Sequence, residues 1–188
     1  MTPVEGRLPD PVEQYLTERA AGRDEQAFTE LVRRHQDQLY RVALRMTDDP
    51  GTAEDVVQEA LLQAWQHLAG FRAEARFATW VTRIVINGSL NVRRGPSRPA
   101  VPGEDLSADE LPASPAAEEE AMRRQQRAAV QQAVASLPFD QRAVLVLTAF
   151  AGYTHTEAGQ ILGISQTAAK VRAHRARQAL AARLQQWR

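Results

Sequence analysis

From Asp24 onward the chain sets apolar residues three and four positions apart. Phe28, Leu31, Val32, His35, Leu39, Val42 and Ala43 fall on one stripe, the period of an amphipathic helix. The sequence DDPG, Asp48–Gly51, breaks it. Thr52 followed three residues later by Asp55 resembles a capping box and predicts the next helix start. Along that helix Val56, Val57, Ala60, Leu61, Ala64, Trp65 and Leu68 make the apolar stripe. After Phe71 a third pattern follows, with Phe77, Trp80, Val81, Ile84 and Val85 apolar and Arg83, Asn87, Asn91, Arg93 and Arg94 polar. Together these predict a compact bundle of three or four helices.

The pattern lapses between Arg94 and Glu118, where GPSRPAVPGEDLSADELPASPAA carries five prolines and no recurring apolar position. Such composition reads as a semi-extended acidic tether. Periodicity resumes from about Glu118 to Ser136, stops at Leu137-Pro138, and returns over Phe139–Phe150. Thr154 with Glu157 is a second capping box, opening a short helix that ends at Leu162. Gly163 suits a tight turn and Ser165 is an N-cap for the long helix beyond it. No stretch alternates with period two, so the expected fold class is all-α, two small helical domains joined by a flexible linker. The boundaries expected are an N-terminal extension over 1–24, a first domain over 25–95, the linker over 96–117 and a second domain over 118–188.

A short helix, a glycine turn and a capped basic helix form a helix-turn-helix. In ILGISQTAAKVRAHRAR, Ala169, Ala173, Ala176 and Leu180 share one face at about 100° per residue. Thr167, Val171, His174 and Gln178 project roughly opposite, where base edges are read in a major groove. Lys170 and Arg177 flank that row on one side, Arg172 and Arg175 on the other, placed for the two phosphate walls.

Charge sharpens this picture. The 188-residue chain has zero formal net charge, yet Pro96–Met122 carries 1 basic and 7 acidic residues and Arg123–Arg188 carries 10 and 2. No acid follows Glu157, whereas a merely solvated helix face mixes signs. The basic third has the footprint of a polyanion binder. There is no cysteine, which excludes disulfides, thiolate zinc sites and a cysteine nucleophile. The N-terminus lacks an apolar signal core, and the most apolar run, Ala143–Ala151, is far shorter than the roughly 20 residues that span a bilayer. We therefore expect a cytoplasmic location, no membrane contact and no metal or cofactor.

Both blocks resemble bacterial RNA polymerase sigma factors of the extracytoplasmic-function (ECF) type. The stretch AFTELVRRHQDQLYRVALRMTDDPGTAEDVVQEALLQAW is similar to the family's first helices, and SLPFDQRAVLVLTAFAGYTHTEAGQILGISQTAAKVRAHRARQAL to its second domain. The resemblance leaves out the first 24 or so residues and the tether. It implies core RNA polymerase, promoter DNA and an anti-sigma factor as partners. It places Asp55, Gln58, Glu59, Leu62 and Trp65 against core polymerase, although an indole on an apolar stripe is ordinarily core. Phe71, Arg72, Arg76, Phe77, Trp80, Arg83, Asn87, Asn91, Arg93 and Arg94 would capture and melt the minus-ten element. There, aromatic faces hold unstacked bases and cations hold the backbone. Packing is the competing role for Phe77 and Trp80. The minus-thirty-five element would be read by Ser165, Gln166, Thr167, Lys170, Val171, Arg172, His174, Arg175 and Arg177.

Some positions depart from the family pattern. Asn91 stands where an acid is expected, Gly88-Ser89 weakens its helix, Ala168-Ala169 and Ala173 replace bulkier residues of the recognition helix, and Gly159 replaces an alanine, which predicts looser packing there. Two other classes compete. His155-Thr156-Glu157 is an H-x-E pattern, but without cysteine ligands it lacks the zinc site a deaminase needs. A conventional two-domain helix-turn-helix regulator explains the basic helix and leaves the Asp55–Trp65 and Phe71–Arg94 segments unexplained.

Overall fold

The computed structural model describes residues 10–71, 76–94 and 115–185, excluding the side chains of Arg94 and residues 115–118. All secondary structure among the described residues is helical. The chain forms α1 (Pro11–Ala21), α2 (Glu25–Thr47), α3 (Pro50–His67), a 3-10 turn (Leu68–Gly70) and α4 (Phe77–Arg94). Then come α5 (Pro115–Ala135), α6 (Phe139–Leu145) running into a π turn (Val146–Phe150), α7 (His155–Leu162) and α8 (Gln166–Arg183).

Helix starts follow local chemistry. Asp24 Oδ1 accepts the Ala27 N–H at 3.0 Å and caps α2. For α3 the cap is Asp49, whose Oδ2 accepts from Thr52 N at 2.7 Å, with Pro50 in the first turn. Thr52 is thus inside the helix and not its cap, because proline's missing N–H costs nothing at a helix start. The Thr154–Glu157 capping box forms as the sequence predicts, with Glu157 Oε2 accepting from Thr154 N at 2.7 Å. Gly163 ends α7 in the left-handed region at φ 66°.

Helix α1 is an element the periodicity does not announce. Its apolar Val12 and Tyr15 are exposed while Glu13 and Thr17 are buried, an inverted pattern. Asp10 caps it and Pro11 opens it. Helix α5 begins at Pro115, within what composition assigns to the linker; residues 95–114 lie outside the described residues.

Helices α2, α3 and α4 pack on one another with α1 along α2, and α8 packs on α6 and α7. Leu31, Leu39, Met46, Leu68, Phe77, Val81 and Val85 are fully buried in the first block, and Leu137, Val144 and Leu147 in the second. Burying each such side chain contributes about 1.5–3 kcal/mol. At the α3/α4 crossing a Cβ on Gly88 would sit 3.3 Å from Val56 Cγ1, so the glycine admits a close approach. Its neighbour Ser89 is buried and donates to Val85 O at 2.8 Å, which keeps the helix intact. One buried core continues through both blocks, joining Val81 and Val85 of α4 to Ala158 and Ile161 of α7.

Candidate nucleic-acid interface

Ser165 caps α8 by accepting the Ala168 N–H at 3.1 Å, and that cap orients the basic helix. Ala169, Ala173 and Ala176 are completely buried, and Leu180 packs against the core behind them. Gln166, Thr167, Lys170, Val171, His174, Arg175, Arg177 and Gln178 are all exposed. Val171, 45% exposed, is an apolar tip in the middle of this polar row, suited to a thymine methyl. Arg172 differs from its neighbours: it is half-buried and its Nε lies 3.4 Å from Asp140 Oδ2. His155, at the start of α7, sits near Lys170 and Arg177. Burial pushes its imidazole below the usual value, and the two cations add to that. Its buried Nε2 has no hydrogen-bond partner.

On α4, Asn87, Asn91 and Arg93 are exposed. Arg83 is exposed as a residue, but its guanidinium reaches α7: Nε donates to Ile161 O at 3.0 Å and Nη2 to Gln160 O. Phe77 is 1% exposed and T-shaped against Phe28, with Trp80 beside it. The expectation that Phe77 stacks a base is corrected here: it fills the bundle, and neither ring face is free. Trp80 is half-buried with its ring centroid 4.7 Å from that of Phe71, so these two aromatics form one surface pair. Arg76 is held 3.5 Å from Glu13 Oε2, while Glu13 Oε1 accepts the Ala78 N–H at 3.2 Å at the start of α4. Arg72, the 72–75 loop and the Arg94 side chain lie outside the described residues.

The third surface lies on α3. Asp55, Gln58, Glu59 and Leu62 are exposed together, Leu62 at 51%. Gln58, Leu61, Leu62 and Trp65 form one wall of a groove of about 530 Å³, with Phe28 and Val32 of α2 opposite. Trp65 packs on Phe28, ring centroids 5.0 Å apart, and also lines the groove. Arg23 lies over the same indole, 5.5 Å from the ring centroid, and donates to Trp65 O at 3.4 Å.

Sequence reasoning missed Glu13, Arg23, Gln38, Arg142 and Tyr153, all of which make contacts across elements.

The Sigma-70 region 2 family matches residues 31–98 and Sigma-70, region 4 matches residues 127–180. The chain is 35% identical over 169 residues to the ECF RNA polymerase sigma factor SigM of Mycobacterium tuberculosis, covering 89% of this chain and 82% of that protein. It is 30% identical over 176 residues to the ECF RNA polymerase sigma-E factor of Escherichia coli, covering 89% and 92%. Among solved structures, CnrH in complex with the cytosolic domain of CnrY is similar at a TM-score of 0.71 and 29% identity, covering 93% of this chain and 97% of that one. Two sigma regions in order, each on its own helical block, set aside the conventional-regulator alternative: the chain belongs to the sigma-70 family, as an ECF RNA polymerase sigma factor.

Proposed function

We propose that this chain is the promoter-directing subunit of an RNA polymerase holoenzyme and divides its labour among three surfaces. The α3 face of Asp55, Gln58, Glu59 and Leu62, with the groove beside Trp65, docks on core polymerase. Helix α4, through Asn87, Asn91, Arg83, Arg93 and the Phe71–Trp80 pair, takes the minus-ten strand. Helix α8 reads the minus-thirty-five duplex with Thr167, Val171 and His174 toward bases and Lys170, Arg172, Arg175 and Arg177 toward phosphates. The division assigns residues 25–95 and 118–188 to separate tasks, with 96–117 between them and α1 packed along the first block. Promoter opening on this scheme needs binding energy and no covalent chemistry, so the protein is not an enzyme. It works in the cytoplasm, where polymerase is; no described helix is long and apolar enough to cross a membrane.

The observation that carries the reading is the exposed row on α8, basic and free of acids, backed by three completely buried alanines. The solved relatives in complex with CnrY or with the anti-sigma factor NepR support an anti-sigma partner here too. The test is co-migration of the purified protein with bacterial core RNA polymerase on a sizing column. A stoichiometric complex is expected, and its absence with folded, inhibitor-free protein would sink the reading. Leu62→Asp, on an exposed side chain, should abolish co-migration while leaving the melting temperature and the binding of duplex DNA unchanged.

A further inference from the structure

Helix α1 docks on the first block with a carboxylate in its buried face. Glu13 is 6% exposed, and its partners belong to α2 and to the start of α4. Oε1 accepts the Ala78 N–H at 3.2 Å, and Oε2 lies 3.5 Å from Arg76 Nη2 and 3.6 Å from His35 Nε2. As a means of holding α1 the cluster is poor, because a buried charge costs stability unless its whole network is satisfied. Here Arg76 Nε and His35 Nε2 are buried without a hydrogen-bond partner. Helix α1 has other anchors in any case: Ala20 is completely buried, Thr17 is buried and Leu16 packs against the core.

What the carboxylate does supply is a fixed beginning for α4. The first amides of a helix have no intrahelical acceptor, and a side chain just before the helix ordinarily meets one of them. At α4 the Ala78 amide is met by a residue 65 positions earlier in the chain. The helix dipole further favours a negative charge at that end. The Trp80 N–H donates to Arg76 O at 3.0 Å, so the turn that Glu13 grips at Arg76 and Ala78 is the one that carries Trp80. Trp80 in turn pairs with Phe71, ring centroids 4.7 Å apart.

We propose that Glu13 is a positioning residue for promoter opening: from α1 it fixes the first turn of α4, and through that turn the Phe71–Trp80 pair that takes the minus-ten strand. The proposal rests on that pair facing the DNA. It requires no contact between α1 and the promoter, only that the pair be held where an unstacked base can meet it.

The probe is a promoter duplex selected from a randomised library by the parent holoenzyme, with opening read as permanganate reactivity of its unpaired thymines. Each variant is compared at a temperature where its melting curve shows it folded. Glu13→Met fills similar space without an acceptor, so a role confined to docking α1 would survive it. Opening should nevertheless fall about tenfold, the order of one lost base stack, while co-migration with core polymerase and duplex binding by α8 stay unchanged. Glu13→Gln keeps an acceptor for the Ala78 N–H and should stay within about threefold of the parent. Trp80→Ala should itself cut opening about tenfold, and Glu13→Met added to it should cut it little further, since residues that act through one another are not additive. Full opening by Glu13→Met, losses that multiply in the double variant, or Glu13→Gln as weak as Glu13→Met would each overturn the positioning role. Trp80→Ala that opens like the parent would overturn the aromatic reading instead, and with it the route from Glu13 to the DNA.

Discussion

Gly159 lies in α7 where the turn of the helix-turn-helix folds back on it. A Cβ there would sit 2.7 Å from Ile164 O, and Gly159 O accepts the Ile164 N–H at 2.9 Å. The sequence suggested looser packing at this position; the structure shows a backbone approach that only glycine allows. Gly159→Ala should therefore destabilise the second block by about 1–3 kcal/mol, read as a lower melting temperature with weaker duplex binding. A gain in stability, as helix propensity alone would give, would contradict this geometry. Ser165→Ala tests the next link in the turn: loss of the cap on α8 should cost about 1 kcal/mol. Phe77 shows the same discipline in the other block, where a residue that could serve DNA or core is held by its neighbours in the core.

At the scale of the helix, α8 carries its cations in unequal states. Arg175 is exposed on the outer row, and Arg175→Ala should reduce the salt dependence of duplex binding by about one unit in filter-binding titrations. Arg172 is partnered by Asp140, an acid on α6 next to the proposed phosphate-facing row. Asp140→Asn should thus strengthen duplex binding, most at low salt, where surface charges are least screened. Helices α2, α3, α4, α7 and α8 were legible because each buries a stripe and carries its own start or stop signal. The inverted α1 was not, since it buries Glu13 and Thr17 along with Leu16 and Ala20 while Val12 and Tyr15 face water. On α4 the polar row was legible, but not that Arg83 is engaged by a helix nearly eighty residues later in the chain. Such pairings depend on tertiary placement, which no local pattern encodes.

For the whole molecule, acidity is a probe of how the blocks meet. His35 borders the cavity between α1, α2, α4 and the turn before α7. Burial lowers its imidazole below the usual 6.5, with Arg76 and Arg34 acting the same way and Glu13 and Asp10 opposing. A depressed histidine holds fewer protons folded than unfolded, so its stabilisation is complete above about 6.5 and is lost as pH falls through that value toward the folded one. His155 is shifted in the same direction. Melting temperature should fall on acidification below about 6.5, and His35→Gln should flatten part of that slope.

Helix α5 is exposed from Glu119 through Ala128 with little interruption, and only its last turns, at Ala133 and Val134, are buried. A 21-residue helix anchored by its last turns is a spar, about 31 Å long. The twenty residues before it, 95–114, add at most about 70 Å of contour. Two elements 25 base pairs apart on a duplex stand about 85 Å from each other. That helix and twenty residues at full extension together exceed the gap, so a chain that binds both promoter elements as proposed has the reach to hold them at once, with the length between them setting how far apart those ends are allowed to be.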